Sequence, residues 1–190
     1  RSNIHTNGQK WLASGIPNWV TLSRSFDATS SDITIKVKTN THFLPRTATI
    51  TFAAGTEKRI LTINQALNKE VASDKAALEA FFTAAGGENW INKTNWLSEK
   101  PLNEWSYIST DNETGRVNSL AIRNSENLRG YMSDEVYKLS ELKELYLFNM
   151  EPHTFKVEPT AGIINLQKLE MLYLNVTNDI PNEIFDLKSL

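Results

Sequence analysis

The chain contains no cysteine, which excludes disulfides and thiolate metal sites and leaves packing alone to hold the fold. The same absence does not decide the compartment, because a cytosol and a bacterial surface both accommodate proteins without bridges. Charge of one sign is also missing: 20 basic residues face 22 acidic ones for a formal net charge of -2. The two signs are interspersed, so no basic stripe exists to neutralise a phosphate backbone, and nucleic acid is set aside as a partner. No apolar run approaches the ~18 residues that span a bilayer, and the first residues lack the charged-then-apolar order of a signal peptide. Direct membrane insertion is therefore not expected of this segment.

Chemistry-bearing patterns are equally scarce. His5, His42 and His153 fall in a loop, a strand end and an irregular stretch, without metal-ligand spacing. Neither a Gly-x-Ser-x-Gly elbow nor a phosphate-cradling glycine loop occurs, and carboxylate pairs such as Glu104 and Asp111 arise by chance among so many acids. Asp111-Asn112-Glu113 before Gly115 lacks the closing Glu of a calcium loop and reads as a solvated turn. The expectation is a non-enzymatic chain with no cofactor and no metal.

What is present divides in two, and 190 residues suffice for two small domains. In the first third, Ile33, Ile35 and Val37 alternate with Thr34 and Lys36 from Asp32 to Val37. Ala48, Ile50 and Phe52 alternate with threonines from Thr47 to Phe52. Arg59 to Ile63 repeats the pattern. This period of two predicts half-buried strands, with turns at Thr39-Asn40-Thr41 and Ala54-Gly55-Thr56. Several short strands at such spacing predict an all-β sandwich.

Trp11, Pro17-Asn18-Trp19-Val20, Asn40 closing one strand, Arg46 opening the next and Ile63-Asn64-Gln65 ending the last follow one another in an order that resembles the BACON domain. That family is an immunoglobulin-like module of Bacteroidetes surface and secreted proteins. The resemblance covers residues 1–66, and it implies an immunoglobulin-like sandwich whose opening strands would precede Arg1. It also implies either a carbohydrate-linked role or a spacer. Trp11 and Trp19 are the candidate glycan-binding residues, since aromatic faces stack on sugar rings. The competing reading, that both are core residues of a small sandwich, is the stronger of the two.

Residues 67–72 read as a polar linker. Ser73 or Asp74 is the expected cap of a helix whose Leu78, Phe81, Phe82 and Ala85 share one face and which Gly86-Gly87 stops. Trp90, Trp96 and Trp105 follow. They could form an aromatic ligand box, yet a solenoid needs its first repeat covered by a bulky apolar cap. The order of helix, Gly86-Gly87, Asn89-Trp90, Asn95-Trp96, Trp105 and Gly115-Arg116-Val117 resembles the N-terminal cap of plant-type leucine-rich repeat proteins, without their cysteine pair. The resemblance implies a cap over 73–116.

The strongest pattern is a leucine ladder over 117–190. Its positions 117, 142, 169 and 190 recur at intervals of 25, 27 and 21 residues, which predicts an α/β leucine-rich repeat solenoid of about three units. Asn127-Leu128-Arg129-Gly130 and Asp179 to Ile184 match the repeat's convex segment, whereas Met150 to Ile163, with Pro152 and Pro159, departs from it. A unit opening at Leu187 and Leu190 predicts a truncated stack whose open end offers a route to self-association.

Residues between the inward leucines should line the concave sheet in three rows: Ser119, Glu144, Met171; Ala121, Tyr146, Tyr173; and Arg123, Phe148, Asn175. Arg123, Glu144, Tyr146, Phe148, Tyr173 and Asn175 are the candidate partner-binding residues, because aromatics beside charged groups on a rigid sheet make interface hot spots. Cross-strand stabilisation of the sheet is the competing account. The leading expectation is a bacterial cell-surface or secreted protein that binds a protein partner, the sandwich acting as spacer. Glycan capture by the sandwich, and a catalytic domain beyond Leu190, are the alternatives.

Overall fold

A computed structural model describes residues 2–123, 127–148, 155–175 and 180–190. It is largely β with one α-helix, and among the described residues none of its sheets closes into a barrel. The chain forms two compact units, residues 1–40 with 45–67 and residues 41–44 with 68–190.

The first unit holds β1 (Ser2–Ile4), β2 (Trp11–Ser14), β3 (Val20–Leu22), β4 (Phe26–Asp27), β5 (Ser31–Ile33), β6 (Ile35–Val37), β7 (Arg46–Ala54) and β8 (Glu57–Gln65). An antiparallel sheet runs in the order β4-β2-β7-β8, while β1 pairs with β5 and β3 with β6. Trp11, Ala13, Val20, Ile33, Ala48 and Ile50 make its core. The strand expected from Asp32 to Val37 is broken at Thr34. Ser23 takes both backbone groups of that residue, its Oγ accepting from the Thr34 N–H at 2.9 Å and its own N–H donating to the Thr34 carbonyl at 2.9 Å. The chain thereby passes from β1 to β3 as partner, and Val37, expected to face inward, is 42% exposed.

In the second unit α1 (Lys69–Ala84) begins earlier than expected. The Asn68 side chain accepts from the N–H groups of Glu70 and Val71 and is the N-cap. Residues 69–72 are consequently helix rather than linker, and Asp74, expected as a cap, lies inside the helix. The stop is where Gly86 predicts it, in the left-handed region at φ 64°.

Asp74 is fully buried. Its carboxylate receives Nε of Arg116 at 2.8 Å, Nη2 at 3.0 Å and the Val117 N–H at 2.9 Å. Arg116 also donates to Ser140 Oγ at 3.1 Å, and the ion pair with Asp74 holds its guanidinium above its ordinary pKa. This cluster clamps the helix to the first ladder strand.

The ladder is a sheet of β9 (Ile108–Thr110), antiparallel to β10 (Val117–Ile122), which continues in parallel to β12 (Glu144–Leu147) and β14 (Met171–Leu174). Leu120 pairs with Leu145 and Leu145 with Leu172, so the inward residues stack in register. A second, small parallel pair joins β11 (Gly130–Tyr131) to β13 (Phe155–Lys156). Leu142, Leu145, Leu147, Leu166 and Leu169 are all buried, each side chain contributing about 1.5–3 kcal/mol. On the other side of the ladder Tyr137 lies against Gly162, where an added Cβ would sit 2.7 Å from the ring, and the Tyr137 hydroxyl accepts the Thr160 N–H at 3.1 Å. Met150, Pro152 and Asp179 lie outside the described residues, as does His153.

Before β10, Asp111 makes a tight turn. Its Oδ1 accepts the Thr114 N–H and hydroxyl, both at 2.8 Å, and the Glu113 N–H at 3.1 Å. The Thr114 hydrogen bonds hold its carboxyl below the ordinary value of 3.8. A group depressed in the folded state contributes stability that is full above its unfolded pKa and is lost as pH falls through the folded one. The stability gap between the wild type and Asp111→Ala should therefore be constant near neutrality and shrink below pH 3.8, as read by urea titrations at stepped pH.

Asp74→Ala takes the buried carboxylate from Arg116, which keeps only Glu70 and Ser140, and leaves the Val117 N–H without its acceptor. It should destabilise the second unit by about 3–5 kcal/mol, measured by chemical denaturation followed through tryptophan fluorescence.

Candidate functional site

The three tryptophans after the helix form no ligand box. Trp96 stacks on Phe82 at 5.2 Å, meets Trp90 edge-on at 5.1 Å and touches Trp105 at 5.2 Å, all between ring centroids. Each indole N–H is donated to a backbone carbonyl: Trp90 to Ala85 at 3.0 Å, Trp96 to Ser106 at 3.0 Å and Trp105 to Lys100 at 3.1 Å. The rings are buried and their polar atoms satisfied, so they serve packing.

Trp11 and Trp19 make no exposed stacking platform. Trp11 is 3% exposed, and its indole N–H donates to the Thr29 carbonyl at 3.1 Å. Trp19 packs beside the same core and has the Arg46 guanidinium 4.4 Å above its ring centroid. Arg46 in turn donates Nε to Gln65 at 2.7 Å and Nη2 to the carbonyls of Lys38 and Thr39 at 2.9 and 2.8 Å. Asn40, nearly fully buried, donates to the Ala66 carbonyl at 2.8 Å. The ordered marker residues of the first third thus tie the turn after β6 to the ends of β7 and β8. Desolvation in this knot lowers the Arg46 pKa from its ordinary value.

The six candidates of the ladder do come together. Register places Ser119 beside Glu144 and Met171, and Ala121 beside Tyr146 and Tyr173. Phe148 continues beyond β12, its N–H donating to the Ile122 carbonyl at 3.0 Å, and the Asn175 N–H donates to Leu147 at 3.4 Å. Tyr146 and Tyr173 stack nearly parallel, 4.4 Å apart and tilted by 10°, with Phe148 edge-on to Tyr173 at 6.0 Å. Arg123 lies 4.6 Å from the Tyr146 centroid and pairs with Glu144, which also accepts from Ser119 Oγ at 2.8 Å.

Tyr146, on the central strand, is filled on one side by Arg123 and on the other by Tyr173. The ring that remains available is Tyr173, 44% exposed, next to exposed Met171. Lys143 pairs with Glu170 at 2.9 Å, and Lys168 pairs with Glu141. The charges around the aromatic row are therefore matched between neighbouring rungs, leaving an apolar centre within a neutralised rim. Among the described residues no group of acidic or histidine side chains is arranged to hold a metal ion.

Residues 9–66 match the BACON family model, whose description is "Putative binding domain, N-terminal". Among solved structures the chain is similar to two leucine-rich repeat proteins of Bacteroides. The one from Bacteroides eggerthii has a TM-score of 0.41 and 14% identity, covering 68% of this chain and 35% of that one. The one from Bacteroides thetaiotaomicron has a TM-score of 0.41 and 13% identity, covering 87% and 34%. A plant ice-binding protein is similar at a TM-score of 0.43 and 21% identity, covering 63% and 46%. The chain thus spans less than half of each of these proteins. No curated protein sequence matches it.

The Arg123–Glu144 pair is half exposed, so Arg123→Ala should cost less than about 1 kcal/mol in denaturant titration. The variant alters the aromatic row while keeping the fold.

Proposed function

We propose that this chain is a non-enzymatic interaction protein of the bacterial exterior, which binds a protein partner on the concave side of its ladder. In this reading residues 1–66 form an immunoglobulin-like spacer, and the Trp-rich segment caps a leucine-rich repeat solenoid. The observation that carries it is the row Arg123, Tyr146, Tyr173 and Phe148. It combines a rigid parallel sheet, stacked rings with one large face left open, and a rim of matched charges. Aromatic anchors surrounded by neutral contacts are the arrangement that concentrates binding energy at protein interfaces.

The exterior setting is supported by the family match over residues 9–66 and by the Bacteroides setting that the marker residues imply. Among the described residues no helix is long and apolar enough to cross a membrane. The spacer role is supported by Arg46, which covers one face of Trp19 and gives its donors to Gln65 and to the Lys38 and Thr39 carbonyls.

The test is photo-crosslinking from a probe residue beside the row, in a mixture of extracellular proteins, comparing wild type with Tyr146→Ala/Tyr173→Ala. The double variant should lose the partner that wild type captures, with Tm lowered by no more than about 4–8 °C. Equal capture by both would remove the concave face from consideration.

A further inference from the structure

The segment Thr41–Leu44 lies between β6 and β7 in the sequence yet belongs to the second unit, while residues 40 and 45 on either side of it belong to the first. Phe43 is buried in the apolar cluster of the second unit, with the Lys75 ammonium 5.1 Å from its ring centroid. Lys75 also lies 5.8 Å from the centroid of Trp105, so one cation of α1 borders both rings. The backbone of the segment is held as closely. The Asn68 N–H donates to the His42 carbonyl at 2.9 Å, and Asn68 Nδ2 donates to the Thr114 carbonyl at 3.2 Å. The N-cap of the helix thereby joins the segment to the turn before β10. At Gly115 φ is +75°, and an added Cβ would sit 2.2 Å from the Thr41 carbonyl oxygen, a space that only glycine leaves open. The socket is shaped for the backbone as well as for the ring.

Both ends of the segment are anchored in the first unit. Arg46 donates Nη2 to the Lys38 and Thr39 carbonyls, Gln65 Nε2 donates to the Lys38 carbonyl at 3.0 Å, and Asn40 donates to the Ala66 carbonyl. Pro45 restricts Leu44 before it, and the Leu44 N–H donates to His42 Nδ1 at 3.0 Å. We propose that Thr41–Leu44 is a strap, with Phe43 as its anchor, that completes the core of the second unit. The occupant of the socket is this segment of the same chain. Holding its ends in place lowers the ordering cost of inserting Phe43, so Asn40 and Arg46 are positioning residues that act on the second unit through the strap. The stability of the ladder is then conditional on the first unit, a role added to that of spacer. The strap is independent of what binds the aromatic row.

The experiment is hydrogen–deuterium exchange of the full chain in native buffer, read separately in α1 with β10 and in β7 with β8. Phe43→Ala should speed exchange in α1 and β10 at least about tenfold, as the loss of a buried ring does, and leave β7 and β8 protected as in wild type. Arg46→Lys keeps the charge but loses the forked donation to Gln65 and two carbonyls. It should speed exchange in α1 and β10 about threefold, although those partners lie in the first unit. If Phe43→Ala fails to fold, Phe43→Leu should still speed exchange in α1 and β10 about threefold. Unchanged exchange there in the Phe43 variant that folds, or an effect of Arg46→Lys confined to β7 and β8, would overturn the proposal. So would wild-type protection of α1 that falls on dilution, which would put the segment of a second copy in the socket.

Discussion

Asp74 is the point on which the second unit turns. A carboxylate with no solvent contact is costly unless its lone pairs are filled, and here a two-pronged guanidinium and a backbone N–H fill them. The Val117 N–H belongs to the opening residue of β10, so the helix and the first rung are set by one group of atoms. The rungs that follow inherit their register from that strand. Trp90, Trp96 and Trp105 belong to the same buried apolar cluster. With no cysteine in the chain, an ion pair and close-packed rings hold this end of the unit together.

The ladder was legible because its signal is periodic and its solution is repetitive. Once Leu120, Leu145 and Leu172 align, the residues between them must face outward, and Tyr146 and Tyr173 meet as a matter of geometry. The helix start was misread for a local reason. Asn68, Ser73 and Asp74 are all good caps, and only tertiary structure reveals that Asp74 is wanted inside by Arg116. The strand at Asp32 to Val37 was misread because periodicity cannot see a competing side chain: Ser23 captures the backbone of Thr34 and splits the run. The cavity of the first unit, lined in part by Trp11, Ile33, Ile35, Phe52 and Leu61, was not legible, since those residues come from β2, β5, β6, β7 and β8 with no spacing that announces it.

The aromatic row of the ladder is a side-chain surface whose charged members, Arg123 and Glu144, pair with each other, so shape and ring contact would govern what binds there. Among the marker residues of the first third, Trp11 lines the cavity of the first unit, while Trp19, Arg46, Gln65 and Asn40 hold turns and strand ends together.

The contact of Tyr137 with Gly162 bears on how such a molecule can drift over generations. The two residues stand 25 positions apart in adjacent turns of the stack, and the tyrosine ring is fixed by its hydroxyl on the Thr160 backbone. A larger residue at 162 is tolerated only if the ring shrinks, and a smaller ring leaves a void that only a larger neighbour fills. Copying one rung over another would therefore break the fit, because the glycine and the ring that fills its space sit in different rungs.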